Sequence, residues 1–100
     1  MIPVLLTPVE TQRLLANRFK SLRLTAGFKR STIAKRSGVT ESSLKRFEDT
    51  GEISLKNLLL LSHAVDRLQE FGALFQPPEA TSIAELKASA SRNIPKRGRI

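Results

Sequence analysis

Cysteine, tryptophan and tyrosine are absent from this chain of 100 residues, and histidine occurs once. The absence of cysteine excludes disulfides and thiol chemistry, fits a cytoplasmic protein, and leaves little material for a structural zinc site. No apolar run approaches the roughly 18 residues that a membrane span needs. The opening MIPVLL is too short for a secretion signal and lacks a positive lead. We therefore expect no metal ion and no membrane association.

Groups suited to catalysis are also scarce. His63, the only histidine, lies in a leucine-rich segment, where a packed or half-exposed helical side chain is the ordinary interpretation. Glu48 and Asp49 are adjacent in sequence and do not converge as a catalytic pair needs to. The sequence also has no glycine-rich phosphate loop. We expect a protein without enzymatic activity and without a cofactor.

Positive charge, by contrast, is abundant. Seventeen lysines and arginines against nine aspartates and glutamates give a net charge of +8, which favours a polyanionic partner. Residues 1–27 and 28–51 each carry +3, residues 52–91 carry −2, and residues 92–100 carry +4. A surface that is charged only for solubility more often mixes its signs. The separation predicts nucleic-acid binding by the basic regions, whereas the acidic block suits a protein partner.

Residues 28–50 have the pattern of two short helices joined by a glycine turn. Gly38 can take the left-handed backbone that a sharp turn requires, and Thr40 is a good N-cap for the second helix. Leu44 and Phe47 are three residues apart and share its inner face. The side chains left on the outer face are Glu41, Ser42, Ser43, Lys45 and Arg46. Such a small, polar, cationic face suits a DNA major groove; the alternative is an ordinary helical hairpin with a solvated charged face.

Capping signals and apolar periodicity predict an all-α fold with five helices. We expect the helices at about residues 8–25, 30–37, 41–48, 55–65 and 67–75. The regions expected along the chain are an N-terminal arm at 1–7, a helix-turn-helix domain at 8–76 and a C-terminal extension at 77–100. Within the extension, a capping box at 82–85 predicts a short helix at 83–89, and residues 92–100 have the composition of a disordered basic tail.

The first helix has the clearest boundaries. Thr7, Pro8 and Glu10 predict a capping box with proline at the first helical position, and Gly27 ends the helix. Its apolar stripe is expected at Leu15, Phe19, Leu22 and Ala26. The cations expected to lie mostly off that stripe are Arg13, Arg18, Lys20 and Arg23.

The last two helices of the domain leave an alternative open. Leu58 to Leu61 are consecutive leucines, which cannot all face one core at 3.6 residues per turn. Either part of the set faces another helix or subunit, or the helix is central and covered on two sides. In the fifth helix, Leu68, Phe71 and Phe75 are expected on one face. Gly72 costs about 1 kcal/mol relative to alanine there, so the helix is either closely packed or irregular.

With these motifs in place, residues 27–61 resemble the helix-turn-helix of the XRE/Cro/C1 repressor family. The resemblance rests on Ile33-Ala34, the Ser-Gly-Val-Thr turn at 37–40 and Ser-Ser-Leu-x-Arg at 42–46. The later Ala-Leu-Phe, Pro-Pro, Ser-Ile-x-Glu-Leu and basic tail are similar to HipB-like regulators encoded beside HipA-type kinase toxins. The family implies a lambda-repressor-like DNA-binding domain that acts on the nucleoid as a homodimer at a palindromic operator. It implies either an autoregulating repressor of a toxin-antitoxin operon or an antitoxin or scaffold acting mainly by binding a HipA-like kinase toxin.

The resemblance also implies roles for individual residues on double-stranded DNA. Base contacts are expected from Glu41, Ser42, Ser43 and Arg46. Backbone contacts are expected from Lys29, Arg30, Thr40 and Lys45. The basic composition of the tail, and not the resemblance, predicts contacts to phosphates from Arg92, Lys96, Arg97 and Arg99; the alternative is a tail that only aids solubility. Because Arg30 replaces the usual glutamine, the bond that normally braces the second helix against the third is expected to be lost. From the sequence itself, Glu48 is expected to pair with a cation across the turn and so to hold the third helix. The loop at 49–53 has no basic residue for a minor-groove contact.

Overall fold

The computed structural model describes residues 6–78 of the chain. Its elements are the α-helices α1 (Pro8–Thr25), α2 (Arg30–Ser37), α3 (Glu41–Thr50) and α4 (Leu55–Ala64), followed by a 3-10 helix (Leu68–Ala73). Residues 6–78 contain no strand, and the expected all-α fold with five helices is confirmed. Most of the expected arm at 1–7, the helix expected at 83–89 and the basic tail at 92–100 lie outside the described residues.

The capping residues set the starts of the helices as expected. The Thr7 hydroxyl accepts a bond from the Glu10 backbone N–H at 3.1 Å, and the Glu10 carboxylate accepts one from the Thr7 N–H at 2.9 Å. The bond from the Thr7 backbone, with help from its hydroxyl, lowers the pKa of Glu10. Thr40 and Ser54 likewise cap α3 and α4, accepting from the N–H groups three residues on. Local hydrogen bonding therefore fixes where three of the helices begin.

Two glycines define the turns on either side of α3. Gly38, between α2 and α3, has a φ of 81°, and Gly51, after α3, has a φ of 85°, a left-handed conformation that costs other residues free energy. The third helix was expected to end at Glu48 but continues to Thr50. Asp49 and Thr50 stay helical because each has a partner one turn earlier: the Lys45 ammonium at 3.4 Å and the Arg46 carbonyl at 2.7 Å, respectively.

The core lies where α3 packs between α1 and α2, with α4 closing the side of α2. Its buried apolar side chains are Ala16, Phe19, Ile33, Val39, Leu44, Phe47 and Leu61. The rings of Phe19 and Phe47 meet at a centroid distance of 5.9 Å, within the range of favourable aromatic pairs. This core covers one face of α3 only, so the opposite face of that helix is available to a partner.

The buried face of α1 is displaced by one residue from the predicted stripe. Ala16, Phe19 and Arg23 are buried, whereas Leu15 is 40% exposed and Leu22 is half-buried. The prediction followed residue size, but the small Ala16 allows α3 to approach α1 closely. Arg23 is drawn into the interior by a carboxylate of α3. The predictions that Leu15 belongs to the core and that Arg23 lies off the buried stripe were therefore wrong, as was the prediction for Ala26, which is exposed.

The end of the domain also departs from expectation. Leu61 is buried and Leu58, Leu59 and Leu60 are half-buried, so α4 is partly covered and part of its leucine set remains open to solvent. The expected fifth α-helix is a 3-10 helix, and Phe75 lies beyond it, fully exposed. A positive φ at Asp66 precedes the 3-10 helix and another at Phe75 follows it. The tighter winding and this irregular exit prevent Phe75 from joining Leu68 on one face.

Candidate nucleic-acid interface

The third helix presents a buried apolar back and an exposed polar front. Leu44, Phe47 and Glu48 are buried against α1 and α2. We define the α3 front as five exposed residues of this helix, four of them charged: Glu41, Ser42, Lys45, Arg46 and Asp49. Four of the residues expected to contact DNA are among them, and Asp49 is an addition.

Hydroxyl groups cluster at the N-terminus of α3. The Thr40 hydroxyl accepts from the Ser43 N–H at 3.1 Å and donates to the Ser43 hydroxyl at 2.8 Å. The Ser42 hydroxyl lies 3.3 Å from the Thr40 hydroxyl oxygen. Ser43 is half-buried, whereas Ser42 is exposed. Of the two serines expected to meet bases, Ser42 is therefore the more accessible, and Ser43 mainly completes the cap.

The cations of the α3 front are each paired with a carboxylate. Lys45 lies 3.4 Å from Asp49, one helical turn on. Arg46 donates from Nε to a Glu52 carboxylate oxygen at 3.1 Å and from Nη2 to the same oxygen. With Glu41 added, this surface holds three carboxylates and two cations. It therefore provides little net attraction for phosphates, and any affinity it contributes must come from specific contacts.

Positive charge is supplied by the neighbouring elements instead. Lys29, the N-cap residue of α2, makes no side-chain capping bond, and the first turn of this helix holds no acidic residue. An unneutralised helix N-terminus beside a lysine favours an anion such as a phosphate. Near the other end of α2, the Arg36 guanidinium lies over the Phe28 ring at 4.4 Å. α2 therefore has exposed cations alongside the α3 front.

A buried ion network holds α3 in place behind this surface. Arg23 of α1 donates to both carboxylate oxygens of Glu48 at 2.7 and 2.9 Å, and to the Phe28 carbonyl at 2.8 Å. Arg30 of α2 donates to Glu48 at 3.0 Å. The expectation that α3 lacks a brace from α2 was wrong, because Arg30 provides one. Glu48 pairs with cations of α1 and α2, so the expectation that it holds α3 by pairing with a cation across the turn is confirmed.

Arg30 therefore combines two roles that the sequence analysis treated separately, bracing α3 and offering a contact to phosphate. Its Nε is committed to Glu48, while its side chain remains 27% exposed at the surface. The remaining part of the guanidinium is accessible at the N-terminal turn of α2. This geometry is compatible with the expected phosphate contact, made from a side chain already held by α3.

Two residues near this surface were missed by the sequence analysis. Asp49 lies four residues after Lys45, so the i, i+4 spacing of opposite charges was a readable signal. Glu52 lies beyond Gly51, and its return toward Arg46 depends on the tight turn at that glycine. No spacing rule for a single helix reports that contact.

Part of the exposed apolar surface lies on α4 and on the 3-10 helix that follows it. One shallow depression, which we call the α4 depression, is lined by Leu55, Lys56, Leu59, Leu60, His63 and Leu68. His63 is exposed, slightly more than the packed or half-exposed state expected. A second groove, between α1, α4 and the 3-10 helix, has an apolar floor formed by Leu15, Leu22, Leu58, Val65 and Phe71. None of the helices between residues 6 and 78 is long and apolar enough to cross a membrane.

Comparison of the chain with family models, with curated proteins and with solved structures gives no match.

Proposed function

We propose that this protein is a sequence-specific DNA-binding transcriptional repressor that binds a palindromic operator as a dimer. The observation that carries the proposal is the exposed α3 front, a short helical face with serine and arginine at its surface and an apolar back buried in the core. An α-helix of this kind fits the major groove, where serine and arginine reach base edges. The resemblance to HipB-like regulators places the proposed role in an autoregulated toxin-antitoxin operon.

The distribution of charge supports a division of labour between the two helices. The exposed cations of α2, including Lys29 and Lys35, are placed to contact phosphates, which position a protein on DNA without reading sequence. The cations of the α3 front are paired with the carboxylates of Asp49 and Glu52, so this surface gains little affinity from phosphates and is suited to reading bases. The basic segment at 92–100 adds a further source of salt-dependent affinity.

The dimer is supported by the α4 depression. Its lining is almost wholly apolar, with Lys56 and His63 as its polar members. A surface that pairs with a copy of itself across a two-fold axis must be self-complementary. An apolar surface meets that condition, whereas a surface with one sign of charge repels itself. We therefore assign the α4 depression to the second copy of the chain.

A second candidate function is that of an antitoxin or scaffold subunit that acts mainly by binding a HipA-like kinase toxin. The observation that favours it is the groove between α1 and α4, which leaves Leu15 and Leu22 of α1 open to a partner. The two functions are compatible, because one surface is used for DNA and another for protein.

The experiment is a gel-shift titration with the DNA immediately upstream of the protein's own gene, with and without the neighbouring gene product. Arg46→Ala is expected to weaken operator binding by about 1–3 kcal/mol, since a bidentate arginine–guanine contact contributes that much discrimination. The matched control is Arg67→Ala, because Arg67 is also an exposed arginine paired with a carboxylate, that of Glu70 at 2.7 Å, but lies immediately before the 3-10 helix.

The proposal predicts different results for the two variants. Arg67→Ala must retain the wild-type preference for the operator over unrelated DNA of equal length, while Arg46→Ala must lose part of it. Equal affinity of the wild-type protein for operator and unrelated DNA would exclude sequence-specific repression. Binding of the neighbouring gene product without any effect on DNA would favour the scaffold function.

A further inference from the structure

Arg46, the arginine at the centre of the α3 front, is held by a single carboxylate. Glu52 accepts hydrogen bonds from both Nε and Nη2 of its guanidinium. Both side chains are open to solvent, with exposed fractions of 68% for Arg46 and 56% for Glu52. The pair therefore lies on the surface where DNA is proposed to bind, and it orients a side chain that would otherwise sample many rotamers.

The position of Glu52 is in turn fixed by the backbone that follows α3. Its N–H donates to the Thr50 hydroxyl at 3.1 Å, and that hydroxyl donates to the Arg46 carbonyl at 2.7 Å. Between them, Gly51 packs so closely on α1 that an added Cβ would lie 3.0 Å from the backbone carbonyl carbon of Gln12. The turn carrying Glu52 is thus hydrogen-bonded to α3 and packed against α1.

The geometry of the guanidinium decides what remains available. Arginine has five N–H donors in a planar fork. Glu52 occupies the side edge formed by Nε and Nη2, which leaves the end edge formed by Nη1 and the second hydrogen of Nη2. Two parallel donors on one edge match the O6 and N7 acceptors of guanine, the commonest specific arginine contact in a major groove.

We propose that Glu52 is a specificity-determining positioning residue, which holds the Arg46 guanidinium with its end edge presented to a guanine. This inference rests on the proposed function and deepens it. Glu52 acts through Arg46 and touches no base itself. Its carboxylate also repels phosphates, so the ion pair lowers affinity for DNA that offers no guanine at that position and penalises wrong sequences.

The test is the variant Glu52→Gln, measured by fluorescence anisotropy on three kinds of duplex: the upstream DNA of the protein's own gene, a series of the same DNA with each guanine replaced in turn by 7-deazaguanine, and unrelated DNA. The matched control is Glu70→Gln, which removes one negative charge from a second exposed carboxylate–arginine pair. Both variants gain the same net charge, so general electrostatic effects cancel in the comparison.

Glu52→Gln is expected to reduce the ratio of operator affinity to unrelated-DNA affinity about fivefold or more, the lower end of what a bidentate base contact supplies. It is also expected to reduce the penalty for 7-deazaguanine at one position of each half-site. Glu70→Gln is expected to leave both quantities unchanged. In an Arg46→Ala background, the effect of Glu52→Gln on the ratio is expected to vanish, because the two residues act as one unit.

Equal changes in specific and non-specific affinity for Glu52→Gln and Glu70→Gln would overturn the inference while leaving the repressor function intact. If Glu52→Gln still changed the ratio of operator affinity to unrelated-DNA affinity in the Arg46→Ala background, the inference would be overturned as well. A wild-type protein that does not distinguish the three kinds of duplex would instead overturn the proposed function on which the inference rests. Failure at the two levels is therefore distinguishable.

Discussion

At the residue scale, Glu48 accepts hydrogen bonds from arginines of two different helices in a buried position. Loss of its charge leaves Arg23 buried without a counter-ion, and breaking a buried ion pair at one side costs about 3–5 kcal/mol. We expect Glu48→Gln to lower the free energy of unfolding by an amount in this range, measured by urea denaturation. Asp49→Asn, at the adjacent exposed carboxylate, is expected to cost less than about 1 kcal/mol.

The comparison between these neighbours separates burial from charge, because both variants remove one carboxylate from α3 and differ in what surrounds it. A further variant tests the same point from the other side. Replacing Arg23 and Glu48 together by methionine and leucine is expected to cost less than Glu48→Gln alone, since no fully buried charge is left unpaired. Arg30, the other partner of Glu48, has a side chain that is 27% exposed to solvent. Equal destabilisation by Glu48→Gln and Asp49→Asn would contradict the structural role assigned to the network.

At the element scale, the two glycines beside α3 offer a matched pair. Both have φ near +80°, but a Cβ at Gly38 would meet nothing within 4 Å, whereas one at Gly51 would press on the backbone of Gln12. Gly38→Ala is expected to cost about 1–2 kcal/mol of folding free energy, the strain of a left-handed alanine. Gly51→Ala is expected to cost about 1–3 kcal/mol more, because overpacking is added.

Thermal or urea unfolding of the two variants checks this prediction, and DNA binding gives a second readout. Gly51 also sets the turn that carries Glu52, so Gly51→Ala is expected to weaken operator preference in the protein that remains folded. Gly38→Ala is expected to change stability with less effect on the turn at Glu52. Equal unfolding free energies for both variants would show that α1 yields at Gln12 without cost.

The elements also show which parts of the fold the sequence could predict. Helix starts were predictable because caps are local: Thr7, Thr40 and Ser54 each bond the N–H three residues on. The end of α3 was misjudged because Asp49-Thr50 resembles a helix break, and the actual stop is the next residue, Gly51. The fifth element was predicted as an α-helix because apolar spacing does not distinguish 3.6 from 3.0 residues per turn over so short a segment.

The same distinction applies to the candidate site. The exposure of Ser42 and Arg46 followed from the 3.6-residue period and the apolar partners Leu44 and Phe47. The buried face of α1 did not follow, because packing preferred the small Ala16 to the larger Leu15. Contacts that cross between elements, such as those of Glu48 with Arg23 and Arg30, depend on how three helices meet. A sequence pattern within one helix carries no information about them.

At the scale of the whole molecule, the surface proposed for DNA and the surfaces proposed for protein partners differ in chemistry. The α3 front and the N-terminus of α2 supply polar and charged groups, whereas the α4 depression and the groove beside α1 are apolar. Two recognition helices in a dimer must lie about 34 Å apart to meet successive major grooves. If the proposed dimer forms through the α4 depression, operator binding requires that both α3 fronts remain uncovered in it.

The dimer surface is tested by removing apolar area from it. Leu55 and Leu68 of the α4 depression are 66% and 37% exposed, so replacing both by glutamine should not disturb the core. Full burial of each leucine contributes about 1.5–3 kcal/mol, and a two-fold interface uses each one twice. We expect Leu55→Gln/Leu68→Gln to weaken the dimer by about a hundredfold or more, measured by sedimentation equilibrium.

The control for this surface is Val9→Gln/Leu24→Gln on α1, which removes apolar side chains that are 58% and 57% exposed outside the depression. It is expected to leave the dimer unchanged. The α4 variant is also expected to bind a single half-site with wild-type affinity but the full palindrome without cooperativity, because its α3 front is intact. Equal weakening of the dimer by both double variants would place the second copy on another surface. A wild-type chain that remains monomeric at about 100 μM would remove the dimer from the mechanism.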